Sequence, residues 1–300
     1  MKIEEGKRGE NEYKAAGEIL AAGFGWGIIG VFSRPLSEAG LSVVQITALR
    51  CVIVAISMAL LLFCTDRSRF RIQIKDGWIF LGMGILSLVC FNVCYFITIE
   101  HATLAAASIL LYTAPFFVLL MSAILFHEKM TKRKIAALLL AFAGCMLVSG
   151  FTGGQMSRLA VVSGIGSGIC YALYSIFGTA ALRRYHPFTV VFYAFLAAAI
   201  SLIPFVKLPE VFSSLMTSPV LLGKGLALGL VSTFFPFVSY TLGLRQMEAG
   251  KASVLAFSEP MVAAMAGIVV FGEMLRVENV LGILLIFTAL VVLNSRKVKR

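Results

Sequence analysis

Ten apolar runs of about 20 residues each, separated by short polar breaks, constrain what this chain can fold into. A bilayer core of about 30 Å is crossed by a helix of that length. Because 59% of the residues are hydrophobic and only 14% are charged, the composition does not fit a soluble domain. The runs are too long and too apolar for the strands of a membrane barrel. The sequence therefore predicts an all-α integral membrane protein with ten transmembrane helices, at about 17–33, 43–64, 77–97, 103–126, 133–150, 158–180, 187–206, 221–243, 251–271 and 279–295.

The basic residues are divided unequally between the two sets of loops. When the N-terminus is placed inside, the inner loops and tails hold twenty Lys and Arg residues and the outer loops hold five. Positive charge at the ends of membrane helices favours the cytoplasmic side. Both termini are therefore expected in the cytoplasm, as a tail over residues 1–16 and a basic tail over residues 296–300. The net charge of +11 is an orientation signal for a multi-pass protein of the cytoplasmic membrane, and we expect no nucleic-acid partner.

Signals for catalysis and metal binding are weak. The six cysteines and three histidines are scattered in or at the ends of the apolar runs, so we expect no metal site and no cofactor. The Gly25-x-Gly27-x-x-Gly30 spacing of a dinucleotide-binding turn lies inside a membrane helix and follows no strand. The pair Gly250-Lys251 lacks the other residues of a phosphate-binding loop, so an ATP-driven pump is not supported.

The chain contains an internal repeat. Pro115 and Glu128 lie thirteen residues apart, and Pro260 and Glu273 repeat that spacing 145 positions later. The same offset aligns identical or similar residues along both parts of the chain. Self-similarity at a fixed offset indicates a duplicated structural unit, so the sequence predicts two halves of five helices each.

An odd number of helices per half places the halves, residues 17–150 and 151–295, in opposite orientations across the membrane. The charge of matching loops agrees, because HEKMTKRK carries four basic residues and its counterpart GEMLRVEN carries one. Inverted repeats can open a central site to either side of the membrane in turn. Because proline bends helices, Pro115 and Pro260 are expected either to kink paired gating helices or only to shape the packing.

Short motifs run along both halves. The first half has WG at Trp26 and ALR ending at Arg50, each half has a proline with a glutamate thirteen residues later, and the second half has EP at Glu259 and GE at Glu273. This doubled pattern resembles the EamA-type branch of the drug/metabolite transporter superfamily, over Glu18 to Asn294. The resemblance implies a ten-helix inverted-repeat carrier that moves small metabolites, amino acids or drug-like compounds, often outward, without ATP. Two positions depart from the pattern, because Tyr171 replaces the usual tryptophan and His127 replaces the glycine that commonly precedes the glutamate.

Two ionisable residues lie within the apolar runs. Charged groups are costly in hydrocarbon, so Glu259 and Arg50 are candidate functional residues. Glu259 is expected to bind a cationic group of the substrate, to take up a proton, or to be a structural partner. Burial would favour its neutral form and a paired cation its charged form, and the sequence does not choose between them. Arg50 either reaches the outer interface or faces a cavity and attracts a carboxylate.

A polar and aromatic set in the apolar runs supplies further candidates for substrate contacts, although such side chains more often serve packing. Its members are Trp26, Asn92, Tyr95, Tyr112, Tyr171, Tyr174, Ser232 and Tyr240. A mostly apolar cavity with a few hydroxyls and one amide is typical of small-ligand sites. Glu128 and Glu273 lie at helix ends beside Lys129, Lys132 and Arg276, and are expected to anchor loops through ion pairs.

These features favour a secondary active or facilitative transporter that works by alternating access, with export as the expected direction. Its partners would be a small-molecule substrate and the lipid bilayer, and proton coupling and a monomeric or homodimeric state are left open. The alternatives are an intramembrane enzyme that uses Glu259 with a tyrosine, and a non-transporting membrane interaction protein. The first lacks paired acids or a nucleophile with its base, and the second leaves the inverted repeat unexplained.

Overall fold

The computed structural model describes residues 2–150 and 156–294, which are helical nearly throughout and contain no strand. The helices of the first half are α1 (Lys2–Gly27), α2 (Ile29–Glu38), α3 (Val43–Thr65), α4 (Gly77–Leu81), α5 (Cys90–His101), α6 (Leu104–Leu111), α7 (Ala114–Phe126) and α8 (Lys132–Val148). Those of the second half are α9 (Arg158–Leu182), α10 (Pro187–Leu202), α11 (Leu208–Met216), α12 (Pro219–Gly229), α13 (Phe235–Gln246), α14 (Ala249–Leu255), α15 (Ser258–Phe271) and α16 (Val277–Asn294).

The count of membrane spans differs from the sequence prediction by one. Within the described residues, nine helical segments are long and apolar enough to cross a bilayer, instead of ten. The missing one is α8, which has 17 residues and begins with three basic ones, Lys132–Lys134. Its apolar part is therefore shorter than a bilayer core of about 30 Å requires. The all-α membrane fold itself is confirmed.

Although α8 is short, it packs along the full-length span α16. The backbones touch at Gly144 and Gly282, where a Cβ added to Gly144 would lie 2.7 Å from the carbonyl oxygen of Gly282. Small residues allow such close approach between membrane helices. The counterpart helices of the two halves therefore form a pair at the edge of the bundle.

The sequence predicts tails at residues 1–16 and 296–300. Helix α1 begins at Lys2, so the residues expected to form an N-terminal tail, 1–16, are helical from residue 2 onward. Lys, Glu and Ala, which favour helix, are frequent in this segment and extend the first span toward the N-terminus. The basic tail predicted at 296–300 lies outside the described residues.

The two halves share their helix irregularities. The third span of each half contains a π-helical segment, at Gly82–Val89 and at Leu230–Phe234. The span that carries the repeated proline is broken in each half, once before α7 and once before α15. Pro115 and Pro260 lie in the first turn that follows each break, where a missing backbone N–H is tolerated. A helix interruption therefore precedes the repeated proline in both halves.

Helices α7 and α15 also end in the same way. The residue that follows each helix adopts a left-handed conformation, with φ of 56° at His127 and 66° at Gly272. The next N–H then donates to the carbonyl six residues earlier, from Glu128 to Ser122 and from Glu273 to Gly267. A left-handed residue directly after the last turn is a common way for a helix to end. Glu128 and Glu273 therefore follow equivalent helix ends in the two halves.

The direction of these spans agrees with an inverted repeat. Glu128, which follows α7, accepts hydrogen bonds from the backbone N–H groups of Ala249 and Gly250 at the start of α14. The end of one span therefore lies beside the beginning of its counterpart. The two spans run in opposite directions, as two inverted repeats require.

Candidate functional site

A cavity of about 420 Å³ lies between the two halves of the bundle. It extends from Glu259, beside the helix break, to Arg34, Ser37 and Val43, where α2 connects to α3. Arg34 and Ser37 are exposed, so the cavity opens at this end. Its volume and its largely apolar wall with a few polar groups are typical of small-molecule sites.

Seven of the ten candidate substrate or coupling residues line this cavity. They are Trp26, Arg50, Asn92, Tyr95, Tyr112, Tyr171 and Glu259. Tyr174 and Tyr240 lie behind the wall around a smaller void, where their hydroxyls bond to Thr241 and Ser175. Ser232 is fully buried and does not line either space.

Glu259 lies in the first turn of α15, directly after the helix break. The N-terminal end of a helix carries partial positive charge and favours an anionic side chain. The hydroxyl of Tyr171 donates to Oε2 of Glu259 at 3.4 Å. The equivalent position in the first half is Ala114, so the carboxylate is present on one side of the repeat alone. The break thus explains how a carboxylate is accommodated in an apolar span.

Arg50 faces the same cavity, from α3. Its Nε donates a hydrogen bond of 2.9 Å to Oγ1 of Thr233, which belongs to the second π-helical segment and is buried. Thr233 in turn donates to the carbonyl of Leu228. Within the described residues, no carboxylate lies within 4 Å of Arg50. Of the two roles considered from sequence, the geometry places Arg50 at the cavity.

The remaining polar groups of the wall are held by their neighbours. Asn92 donates to the carbonyl of Leu88 at 2.7 Å and accepts from Thr47 at 3.3 Å. The hydroxyls of Tyr95 and Ser108 lie 3.4 Å apart. These bonds fix the side chains in place while leaving lone pairs and amide hydrogens for a ligand.

Aromatic rings form the inner part of the wall. Trp26 packs edge-on against Phe237 with ring centres 5.1 Å apart, and Tyr171 packs edge-on against Phe91 at 5.4 Å. Trp26 and Tyr171 occupy equivalent positions in the two halves, since they are 145 residues apart. Edge-to-face pairs of this kind hold the rings in defined orientations, so the cavity has a preformed apolar surface.

Sequence reasoning missed several residues of this site. Thr233, Arg34 and Ser108 were not among the candidates, although Thr233 orients Arg50 and the other two line the cavity. Ser108 carried a usable signal, because it matches Ser253 at the repeat offset. Arg34 had no sequence signal of this kind apart from its charge.

The two repeated glutamates have other partners than the basic neighbours named from the sequence. Glu128 binds the first turn of α14, and Lys134 lies 3.8 Å from its Oε2. Glu273 forms an ion pair of 3.2 Å with Arg34 at the open end of the cavity. Both residues therefore connect separate parts of the bundle.

The opposite end of the bundle is joined by contacts between the halves. Asp76 accepts hydrogen bonds from Arg184 at 2.7 Å and from Tyr185 at 2.6 Å. Burial and the bond to Asp76 raise the pKa of Tyr185, so this hydroxyl keeps its proton. Together with the Glu128 contact, these bonds close the end that faces away from the cavity mouth.

The chain matches a known protein family, several relatives in sequence and a solved structure in fold. The EamA-like transporter family matches the chain over residues 15–150 and 158–295. An uncharacterized transporter of Archaeoglobus fulgidus is 31% identical over 212 residues, which are 71% of this chain and 75% of that protein. The pseudopaline exporter CntI of Pseudomonas aeruginosa is 36% identical over 157 residues, 50% of each protein. A solved crystal structure, 20% identical, has the same fold with a TM-score of 0.77 over 93% of this chain and 95% of that one.

Proposed function

This chain belongs to the EamA-like transporter family, and we propose that it exports small zwitterionic metabolites, amino acids or related compounds, across the cytoplasmic membrane by alternating access. That it is a membrane transporter follows from the family and from the relatives that match it. The substrate class, the direction and the mechanism are the proposal.

The observation that carries the proposal is the presence of Arg50 and Glu259 in one cavity without an ion pair between them. Opposite charges that are partly buried within a membrane span and are not paired with each other are costly. A substrate with both a carboxylate and an ammonium group would pair with both side chains. Hydrogen bonds from Arg50 to Thr233 and from Tyr171 to Glu259 hold the two charged side chains in place.

The rest of the wall supports a small substrate with an apolar part. Trp26, Phe91 and Phe237 line the same cavity as the two charged residues and form its aromatic inner wall. A volume of about 420 Å³ suits a compound of amino-acid size better than a peptide or a lipid. The apolar rings would discriminate by shape, and the charges would fix the orientation.

The direction and the energy source are inferred from the topology. The cavity opens beside the connection between α2 and α3, which we expect outside the cell from the distribution of basic residues. The relative with 36% identity over half of the chain is named as an exporter, which agrees with outward transport. A proton that enters from outside and binds Glu259 would displace the ammonium group and couple export to the proton gradient.

The test is transport by the purified protein in proteoliposomes. Radiolabelled neutral amino acids would be supplied with and without a pH gradient, in competition with their methyl esters, which lack the carboxylate, and their N-acetyl forms, which lack the ammonium group. We expect either change to weaken competition by about tenfold or more, about 1.4 kcal/mol of binding free energy. Esters and N-acetyl forms that compete as well as the parent compounds would contradict the zwitterion proposal.

Matched variants then assign the two charges. Arg50→Gln should remove the preference over the methyl ester, and Glu259→Gln the preference over the N-acetyl form and any dependence on pH. Lys207→Gln and Glu210→Gln, which change an exposed ion pair that does not line the cavity, serve as controls and should transport at the wild-type rate. If Glu259→Gln keeps the wild-type rate, selectivity and pH profile, Glu259 has only a structural role.

A further inference from the structure

We propose that Glu128 and Glu273 form a pair of alternating gates, in which each carboxylate closes one end of the carrier by capping the first turn of the counterpart span. This inference rests on the alternating access proposed above. In the conformation described, Glu128 is engaged and Glu273 is not, which corresponds to a carrier that is open at the cavity mouth.

The engaged gate is a two-point contact between the halves. Oε1 of Glu128 accepts from the N–H of Ala249 at 2.7 Å, and Oε2 accepts from the N–H of Gly250 at 3.1 Å. The side chain of Glu128 is 9% exposed. The first N–H groups of a helix have no partner within it, and a carboxylate satisfies them with a charge of favourable sign. This contact therefore fastens the end of α7 to the start of α14.

Gly250 makes this approach feasible. A Cβ at this position would lie 2.6 Å from Cδ1 of Leu119 and 3.2 Å from Oε2 of Glu128. A methyl group here would displace the end of the Leu119 side chain and crowd the carboxylate of Glu128. The closed end thus depends on both a carboxylate on one span and a glycine on the other.

The equivalent contact is absent at the cavity mouth. The repeat offset places Leu104 and Ala105, the first residues of α6, at the positions of Ala249 and Gly250. In the described part of the chain, neither of their N–H groups donates to a side chain, and Leu104 is exposed. Glu273 instead pairs with Arg34, and both side chains are about half exposed. The end that is open is therefore the end that lacks its cap.

The backbone around Glu273 already has the conformation that Glu128 has in its contact with α14. Its N–H bonds to Gly267 just as that of Glu128 bonds to Ser122, after a residue in the same left-handed conformation. The residues that would face the methyl group of Ala105 are smaller than in the other half, with Ala264 and Gly267 in place of Leu119 and Ser122. At the Glu128 end, Gly250 leaves room for the carboxylate. At the cavity mouth, the small residues of α15 would leave the same room.

One difference between the halves favours the conformation described. Lys134, which is buried, lies 3.8 Å from Oε2 of Glu128 and also pairs with Glu248. The equivalent of Lys134 in the second half is Asn279, which is neutral. The gate at Glu128 therefore has a buried cation at this position, whereas the cation beside Glu273 is the half-exposed Arg34, and the carrier should rest with the Glu128 end closed.

The test measures the conformation directly, in the full-length chain reconstituted in nanodiscs. Spin labels at Lys129 and Arg245 would report the end closed by Glu128, and labels at His101 and Met274 would report the cavity mouth; all four positions are exposed. The six native cysteines would first be replaced by alanine in a background that still transports. Double electron–electron resonance then gives the populations of the open and closed distances at each end.

We expect Glu128→Gln to increase the population open at the Glu128 end at least fivefold, and Glu273→Gln to decrease it. Glu210→Gln, an exposed glutamate paired with Lys207, should leave both distances unchanged. Gly250→Ala keeps the charge and should shift the populations in the same direction as Glu128→Gln. Shifts of Glu128→Gln and Glu273→Gln in the same direction, or no shift in either, would overturn the gate. If the populations respond as expected but no zwitterion is transported, the gate stands and the proposed function fails.

Discussion

The hydroxyl of Tyr171 on α9 donates to the carboxylate of Glu259 at 3.4 Å, directly after the break that precedes α15. Tryptophan, which is usual at this position in the family pattern, has no hydroxyl to donate. We expect Tyr171→Phe to raise the KM for a zwitterionic substrate about three- to tenfold, because a hydrogen bond to a charged group contributes about 1.5 kcal/mol or less at this length. The measurement is the concentration dependence of transport in proteoliposomes.

Tyr174→Phe is the matched control for this prediction. Tyr174 lies on the same helix and its hydroxyl bonds to Thr241 at 3.1 Å, away from the cavity. Its loss should lower thermal stability and leave the KM unchanged. Equal effects of the two variants on KM would show that Tyr171 acts through packing alone.

His127 and Gly272 end equivalent helices in the left-handed conformation, and this gives a prediction about stability. Side chains other than that of glycine are strained there by about 1 kcal/mol. His127→Gly should therefore stabilise the protein and Gly272→Ala should destabilise it, each by roughly 1 kcal/mol. Thermal unfolding in detergent measures both.

Gly30→Ala provides the control of opposite sign. Gly30 is the second residue of α2, and a Cβ there would meet no atom within 4 Å. Alanine is favoured over glycine in such a position by about 0.5–1 kcal/mol, so this variant should raise the melting temperature. A fall in stability with Gly30→Ala and none with Gly272→Ala would contradict the assignment of strain.

The fold could be predicted from the sequence because its signals are local. Runs of apolar residues and the distribution of Lys and Arg identify membrane helices without any knowledge of their packing. The exception is α8, which contributes 17 helical residues and starts with three basic ones. A window of sequence cannot decide whether such a segment is long enough, since this depends on its partner α16.

The site could be predicted only in part, because its contacts join distant residues. Arg50 and Glu259 were identifiable as charges in apolar runs, but Thr233 lies 183 residues after Arg50. Sequence reasoning selected its neighbour Ser232, which is buried away from the cavity. A π-helical segment changes the direction of the side chains that follow, and regular helix geometry does not anticipate it.

The orientation in the membrane gives a third prediction. Met274 lies beside the cavity mouth and Lys129 at the opposite end, and both are exposed. In a background without reactive cysteines, Met274→Cys should react with a membrane-impermeant maleimide added to intact cells. Lys129→Cys should react only after the membrane is permeabilised. The reverse pattern would invert the topology and turn the proposed outward opening into an inward one.

His186 gives a prediction about pH, since it caps α10 by accepting from the N–H of Phe188 at 3.3 Å. Burial, followed by the positive charges of Arg69 and Arg245, lowers the pKa of His186 below its ordinary value of about 6.5. The folded protein therefore binds this proton less well than the unfolded chain, and stability should fall as the pH drops below about 6.5.

The measurement is the melting temperature between about pH 7.5 and pH 5.5, in wild type and in His186→Asn. Asparagine also caps helices but does not titrate in this range. The variant should lose the part of the pH dependence that arises at His186. An identical decline in both proteins would assign the effect to other groups.

The last prediction concerns the paired breaks before Pro115 and Pro260. A break in the middle of a span lets its two parts, α6 with α7 and α14 with α15, change their angle while each part stays helical. Replacing both prolines by alanine restores the N–H groups and should favour continuous helices. Transport should then slow by about tenfold or more, while the melting temperature stays equal or rises, because a continuous helix resists the bending that alternating access requires. Pro187→Ala, at the start of α10 and away from any break, is the control and should transport at the wild-type rate. Unchanged kinetics in the double variant, with a lower melting temperature, would reduce the two prolines to packing residues.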